Sequence, residues 1–219
     1  MRILTIGFLF LAVSFGAAAE PITPDLSTLA GNQAGWEMAE FRAFGAPLAS
    51  SGKANVIQSV AMSGAYVADR EMTDGTIELE IRGRAADGSS FVGVIFHGVD
   101  GVTYDGIYFR SFNFGHSNAA KRSHAVQYIA MPEWPWYRLR REKPDQYEQP
   151  VNPEPKPDEW FRARIVIEGD RVRAYVNDAS EPSLDVRKLN ARRTGKVGIW
   201  FTGFGDIANL KITPVTSAP

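Results

Sequence analysis

After residue 50 the apolar and polar positions of the chain recur mostly with a period of two, the spacing of strands rather than helices. Residues 76–82 (TIELEIR) alternate strictly. Ile77, Leu79 and Ile81 fall on one side and Glu78, Glu80 and Arg82 on the other, between the turn residues Asp74-Gly75 and Gly83. Residues 91–97 (FVGVIFH) form a continuous apolar run, the mark of a strand covered on both faces. Segments 104–110 (YDGIYFR), 125–130 (AVQYIA), 160–168 (WFRARIVIE), 171–176 (RVRAYV), 195–202 (GKVGIWFT) and 207–212 (IANLKI) extend the series, and Glu168-Gly169-Asp170 predicts a tight hairpin. Weaker strand patterns cover 37–44, 55–62 and 65–70. Short strands at regular spacing, with no long helical period between them, predict an all-β sandwich or barrel. Neither a repeat nor a linker divides it, so one domain is expected over 36–214, with a lead-in at 20–35 and a tail at 215–219.

One stretch breaks the rhythm. Residues 131–158 are rich in proline, carry Trp134, Trp136, Tyr137 and Tyr147 among alternating charges, and show no strand pattern. An insert of this length is usually functional or disordered, and its aromatics argue against disorder. Two readings stand: a lid over one face of the sandwich, or a flap that covers a sheet edge.

The start of the chain adds a compartment. Arg2, the apolar run 3–15 and Ala17-Ala18-Ala19 have the order of a secretory signal peptide, with cleavage expected after Ala19. The run is about a dozen residues, short for a membrane span, which disfavours a retained anchor. A periplasmic or secreted protein is expected. The absence of cysteine excludes disulfides, thiolate metal sites, a cysteine nucleophile and a lipoprotein anchor. The net charge of −1 gives no basic footprint for nucleic acid, so a neutral or small ligand is the expected partner.

In their order, the segments G-T-I-E-L-E-I-R (75–82), F-V-G-V-I-F-H (91–97), Y-D-G-I-Y-F-R (104–110), A-V-Q-Y (125–128) and W-Y-R-L-R (136–140) resemble the concanavalin-A-like lectin/glucanase superfamily. So do E-W-F-R-A-R-I-V-I-E-G-D-R-V-R-A-Y-V-N-D (159–178), G-K-V-G-I-W (195–200) and G-D-I-A-N-L-K-I (205–212). Within that superfamily the chain is most similar to the 3-keto-disaccharide hydrolase branch, over about residues 36–214. The resemblance implies a jelly roll of two antiparallel sheets, one curved into a concave sugar-binding face. It also implies action on sugars oxidised to a ketone at carbon 3. The retaining glucanases of the superfamily carry an E-x-D-x-x-E strand, whereas Glu78-Leu79-Glu80 lacks the central aspartate and the third carboxylate. Alternating glutamates on a strand are usually a solvated face, so a conventional glucanase, with its two tuned carboxylates, is disfavoured.

In 104–110, Ile107 and Phe109 share one face, and Tyr104, Tyr108 and Arg110 share the other. If neighbouring strands bring them together, His97, Tyr108, Arg110 and Gln127 form a patch with flat rings for a sugar's apolar face and donors and acceptors for its hydroxyls. The insert adds Glu133, Trp134, Trp136, Tyr137, Arg138 and Arg140. Each has a structural alternative: His97 as a strand end, Tyr108 as a cross-strand pair, Arg110 in an ion pair of little consequence, Trp134 and Trp136 as anchors of the flap.

Should the protein be an enzyme on keto-sugars, the ketone acidifies the adjacent hydrogen and one base can start elimination. His97 or Glu133 is the candidate base, Arg110 or Arg138 the stabiliser of the enolate, and Tyr108 the acid. The alternatives are a non-catalytic carbohydrate-binding module and an envelope interaction scaffold. The discriminator is burial, because catalysis wants a histidine or carboxylate enclosed beside Arg110, while a binding platform leaves its aromatics open. No cofactor is expected. Asp100, Asp105, Asp178 and Asp206 offer oxygens to a structural calcium but lack the spacing of a dedicated loop. His116 and His124, eight apart in a loop, make no metal signature.

Overall fold

The computed structural model describes residues 19–30, 33–39, 56–60 and 63–215. The expected signal peptide lies almost wholly outside the described residues, as do 40–44 of the first weak strand pattern and 216–219 of the tail.

Twelve strands occur among the described residues, and every pairing is antiparallel. They are β1 (Trp36–Met38), β2 (Val56–Val60), β3 (Ser63–Met72), β4 (Asp74–Arg82), β5 (Ser90–Gly98) and β6 (Tyr104–Arg110). There follow β7 (Val126–Met131), β8 (Glu148–Gln149), β9 (Trp160–Glu168), β10 (Arg171–Val176), β11 (Leu184–Arg187) and β12 (Gly195–Val215). One sheet runs β1-β3-β12-β5-β6-β7-β8 and the other β2-β12-β4-β9-β10-β11. The protein is therefore the expected all-β sandwich of two antiparallel sheets.

Strand β12 belongs to both sheets. Its first half, to Gly203, pairs with β3 and β5, and from Phe204 onward it pairs with β2 and β4. The crossing falls at Gly203, where φ is +80° and an added Cβ would lie 2.1 Å from the Ser89 carbonyl oxygen, so only glycine fits without strain. The sequence pattern had suggested two strands here, 195–202 and 207–212, because the residues between them look like a turn.

The sheets close on one apolar core. Ile77, Leu79 and Ile81 of β4 are buried while the residues between them are half-exposed, as the alternation predicts. The opposite sheet contributes Val92, Val94 and Phe96 of β5, Ile107 and Phe109 of β6, and Val126 and Tyr128 of β7. Phe109 meets Phe161 of β9 edge-on across the sandwich, with centroids 5.2 Å apart. The hairpin expected at Glu168-Gly169-Asp170 joins β9 to β10, with Gly169 at φ +59°.

The insert departs from the expectation of a structureless segment. It holds a short helix, Trp136–Glu142, and strand β8, which pairs with β7 and extends the seven-stranded sheet. Proline 135 precedes the helix at its N-cap, and the basic pair Arg140 and Arg141 lies in its last turn, where positive charge suits the helix dipole. A second short helix, Ala119–Arg122, is capped by the Asn118 side chain, which accepts from the backbone amides of Ala120 and Lys121. No helix among the described residues is long and apolar enough to cross a membrane.

Candidate functional site

The face of the seven-stranded sheet turned away from the core carries an unusual load for an outer surface. With Ile107 and Phe109 pointing inward, β6 turns Tyr104, Tyr108 and Arg110 outward. The cross-strand register places Gln127 beside Tyr108, and Glu148 beside Gln127. All three polar residues, Arg110, Gln127 and Glu148, are buried despite facing outward. Burial of this kind requires partners, and the partners are one another.

The Arg110 guanidinium is the hub. Its Nη2 donates to the Tyr108 hydroxyl at 2.8 Å and to Gln127 Oε1 at 3.0 Å. Its Nη1 donates to the His124 carbonyl at 2.9 Å and to Glu148 at 3.3 Å. Glu148 also accepts two bonds from Arg140 of the insert's helix, at 2.8 and 2.6 Å. The His124 Nε2 lies 3.4 Å from the same carboxylate. Gln127 completes its bonding by donating to the carbonyls of Tyr128 and Tyr147.

Two cavities open on this face, and both are walled by Phe91 and Trp136. The first, of about 310 Å3, has Tyr104, Tyr108, Ile129, Met131 and Trp200 from the sheet and Pro135 and Tyr137 from the insert. The second, of about 320 Å3, has Arg110, Asn113, Lys121, His124 and Arg140, with Asp87 at its margin. Arg140 stacks over the Trp136 ring at 5.0 Å, so the boundary between the cavities is a cation on an indole. Gly93 beneath the face is obligatory for the same packing, since a Cβ there would stand 2.0 Å from the Ile107 carbonyl oxygen and 2.8 Å from Tyr108 Cβ.

Burial tunes the titrating groups. It pushes the Tyr104 and Tyr108 hydroxyls up to about 12, so both stay protonated in the physiological range. It lowers His124 below its ordinary 6.5, with Glu148 opposing and Arg140 and Arg110 reinforcing, so the imidazole is neutral at pH 7. The bonds it donates to Glu148 hold the Arg140 guanidinium above its usual value.

Of the residues singled out in the sequence, Tyr108, Arg110, Gln127, Trp136 and Arg140 come together here. His97 does not. Its backbone has φ +48°, which breaks the alternation of β5 and carries the ring to the end of the sandwich. There it is buried, with Nε2 donating to the Thr73 carbonyl at 2.7 Å and Nδ1 accepting from Lys188 at 2.7 Å. Glu133 is exposed at the surface and lies 3.7 Å from Arg138. Arg138 stacks at 4.1 Å over Trp134, and Trp134 packs against the core, so this group fastens the insert and lines neither cavity.

The four aspartates considered for calcium are differently placed. Asp105 and Asp206 are buried in strands, and Asp105 accepts from Tyr128, Asn190 and Arg192. Asp206 accepts from Arg82 and Arg84, Asp178 pairs with Arg162, and Asp100 closes a turn on the amides of Val102 and Thr103.

Sequence reasoning missed Phe91, Trp200, Glu148 and, as a site residue, His124. Phe91 and Trp200 sit on strands that were found, and the alternation from Tyr108 through the pairing register would have exposed them had the strand order been known. Glu148 lies on β8, only two residues long, and His124 in a connection, so neither segment prints a period.

A family model described as a 3-keto-alpha-glucoside-1,2-lyase-like domain matches residues 28–205, more than half of the chain. The chain belongs to this family. None of the curated proteins matches it by sequence. Members of other families share its fold. The carbohydrate-binding module CBM66 from Bacillus subtilis superposes with a TM-score of 0.55 at 14% identity, over 81% of this chain and 94% of that one. A Bacillus subtilis protein of unknown function with a galectin-like fold gives 0.57 at 11% identity, over 92% and 97%. Domain 4 of AbnA, a GH43 extracellular arabinanase from Geobacillus stearothermophilus solved with arabinotriose, gives 0.51 at 13% identity, over 94% and 96%. The jelly roll of this chain is thus a fold shared with CBM66 and with domain 4 of AbnA.

Proposed function

We propose that this protein is exported and that it breaks the glycosidic bond of 3-keto-α-glucosides by elimination on the outer face of the seven-stranded sheet. The observation that carries the reading is His124 lining a cavity beside Arg110 and Arg140, with the buried Glu148 carboxylate next to all three and an aromatic wall alongside. Family membership and the carbohydrate-binding neighbours support it.

A ketone at carbon 3 makes the hydrogen on carbon 2 acidic. A base takes that proton, and the electron pair moves onto the carbon 3 oxygen as an enolate. Its return forms the double bond between carbons 1 and 2 as the carbon 1–oxygen bond breaks. The departing oxygen leaves with its electron pair and takes up a proton. We assign the base to His124, which lines the cavity and is neutral at pH 7 because burial lowers it. Glu148 beside Nε2 favours the tautomer with its proton on that nitrogen, leaving Nδ1 basic. We assign stabilisation of the enolate oxygen to Arg140, which lines the cavity and is about one-third exposed, while Arg110, with four partners, holds the frame. Tyr108, protonated in the working range, is the candidate acid.

The test is incubation of the mature protein with methyl α-glucoside, a disaccharide and their 3-keto derivatives, beside His124→Gln and Arg140→Gln. Turnover of the keto-sugars alone, lost in His124→Gln, is the expected result. Its pH profile should carry an acid limb below 6.5, because His124 must be deprotonated. Unimpaired turnover in His124→Gln would remove that residue from the mechanism. The open rings of Trp136 and Tyr137, 46% and 57% exposed, favour a second reading as a binding platform. Saturable binding of the glycosides with no turnover of either series would select it.

A further inference from the structure

The two cavities differ in chemistry, and the difference bears on what the glycosidic oxygen is attached to. This inference rests on the elimination reading and concerns the leaving group. No charged side chain lines the first cavity. The polar groups of its lining side chains are the hydroxyls of Tyr104, Tyr108, Tyr137 and Thr202 and the indole nitrogens of Trp136 and Trp200, all uncharged, and the Tyr108 hydroxyl already receives Arg110. Beside it, the second cavity presents Arg110, Arg140, Lys121, His124, Asn113 and Asp87.

A sugar ring needs donors and acceptors around its rim, and each hydroxyl buried without one costs roughly tenfold or more in affinity. The second cavity, with charged groups, His124 and Asn113, meets that need better than the first, whose lining is mainly aromatic and aliphatic. An apolar group gains by the same removal from water. Because Phe91 and Trp136 wall both cavities, one ligand can occupy the two, with its glycosidic bond at their boundary. Each cavity, at 310–320 Å3, is at the lower end of the range of ligand sites, enough for one ring apiece.

We infer that the 3-keto-glucosyl ring occupies the cationic cavity and that the aromatic cavity takes an apolar, ring-sized aglycone, so that the preferred substrates are glucosides of apolar alcohols rather than disaccharides.

Three 3-keto-α-glucosides serve as probes: methyl, cyclohexylmethyl, and a second glucose attached through its primary hydroxyl. All three leave as primary alkoxides, so leaving-group acidity does not decide the comparison. Binding is read by calorimetry on the wild type and on Tyr137→Ala, and turnover is read separately by product release. Cyclohexylmethyl is expected to exceed methyl on the order of tenfold to a hundredfold in affinity, and in kcat/KM if elimination occurs. The disaccharide is expected to gain little over methyl. In Tyr137→Ala the cyclohexylmethyl-to-methyl ratio should fall severalfold, a change that a general loss of folding would not produce because both ligands share the protein. A disaccharide bound or turned over as well as cyclohexylmethyl overturns the aglycone inference and leaves the elimination standing. Tight cyclohexylmethyl binding without turnover of any probe overturns the elimination and upholds the apolar cavity. Equal affinity for methyl and cyclohexylmethyl overturns the inference whatever the turnover.

Discussion

Replacing Glu148 with glutamine keeps the shape of the side chain and removes its charge, which isolates what that charge does for the outer face. Glu148 and Arg110 are 3% and 4% exposed, so each lies out of reach of bulk water. In the variant the Arg110 guanidinium keeps Tyr108, Gln127 and the His124 carbonyl but loses its one carboxylate. Leaving one member of a buried pair uncompensated costs about 3–5 kcal/mol. The three neutral acceptors that remain offset part of this, and Arg140, about one-third exposed, can return to solvent. A loss of about 2–4 kcal/mol is therefore expected. For a chain of this size each kcal/mol moves Tm by about 2–4 °C, so a fall of about 4–16 °C should appear. Urea unfolding followed by tryptophan fluorescence measures the free-energy loss and thermal unfolding the shift in Tm, since Trp136 and Trp200 border the same cavities. The control is the double variant Arg110→Met with Glu148→Gln, in which no buried charge is stranded. It should be less destabilised than the sum of the single variants by at least about 0.5 kcal/mol, the smallest coupling expected of residues in contact. A Glu148→Gln variant within about 0.5 kcal/mol of wild type, the range of an ordinary surface change, would refute the view of Arg110 and Glu148 as a desolvated pair.

Phe109→Ala removes the ring that meets Phe161 across the core and should cost about 3–5 kcal/mol in the same urea assay, with a smaller loss arguing that the sheets can collapse onto the gap. Gly93→Ala forces a Cβ to within 2.0 Å of backbone, where no flexible side chain can yield, so a loss of at least about 1–3 kcal/mol and disturbed ligand binding are expected by calorimetry. Burial lowers His97 below 6.5 in the folded protein, so the unfolded chain takes up the proton first. The His97 contribution is therefore fully present above pH 6.5 and is lost as pH falls below it, at up to about 1.4 kcal/mol per pH unit, until the folded value is passed. His124 adds to this slope in the same direction, and His97→Gln should reduce the slope between pH 5 and 7 without abolishing it. An unchanged slope would mean that His97 takes up its proton alike in the folded and unfolded states.

The strands were legible wherever one face was buried, because burial of one side imprints the period of two. Residues 76–82 show this best, and in Tyr104 to Arg110, buried throughout, the faces read from the spacing are still the faces the sheets use. Two features resisted. The helix Trp136–Glu142 is only seven residues long and buries Leu139 alone, too little to print a helical period. The continuity of β12 through Gly203 was hidden because a glycine that carries a strand between two sheets has the same sequence signature as one that ends it.

The sequence alone determined the all-β class, the inward set of apolar residues and the outward set holding Tyr104, Tyr108 and Arg110, since these follow from local periodicity and need no partner strand. The resemblance in motif order also reached the family. Only the tertiary structure decided which outward residues meet. His97 is six residues from the nearest cavity-lining aromatic along its own strand, Phe91, yet a left-handed backbone angle carries it to the end of the sandwich, against Thr73 and Lys188. Glu148 and His124 stand far from Arg110 in sequence, yet strand register and a loop carbonyl bring them to it. Periodicity reports which side of a strand a residue faces. The order in which strands pair, which no local pattern encodes, decides its neighbours, and a site is made of neighbours.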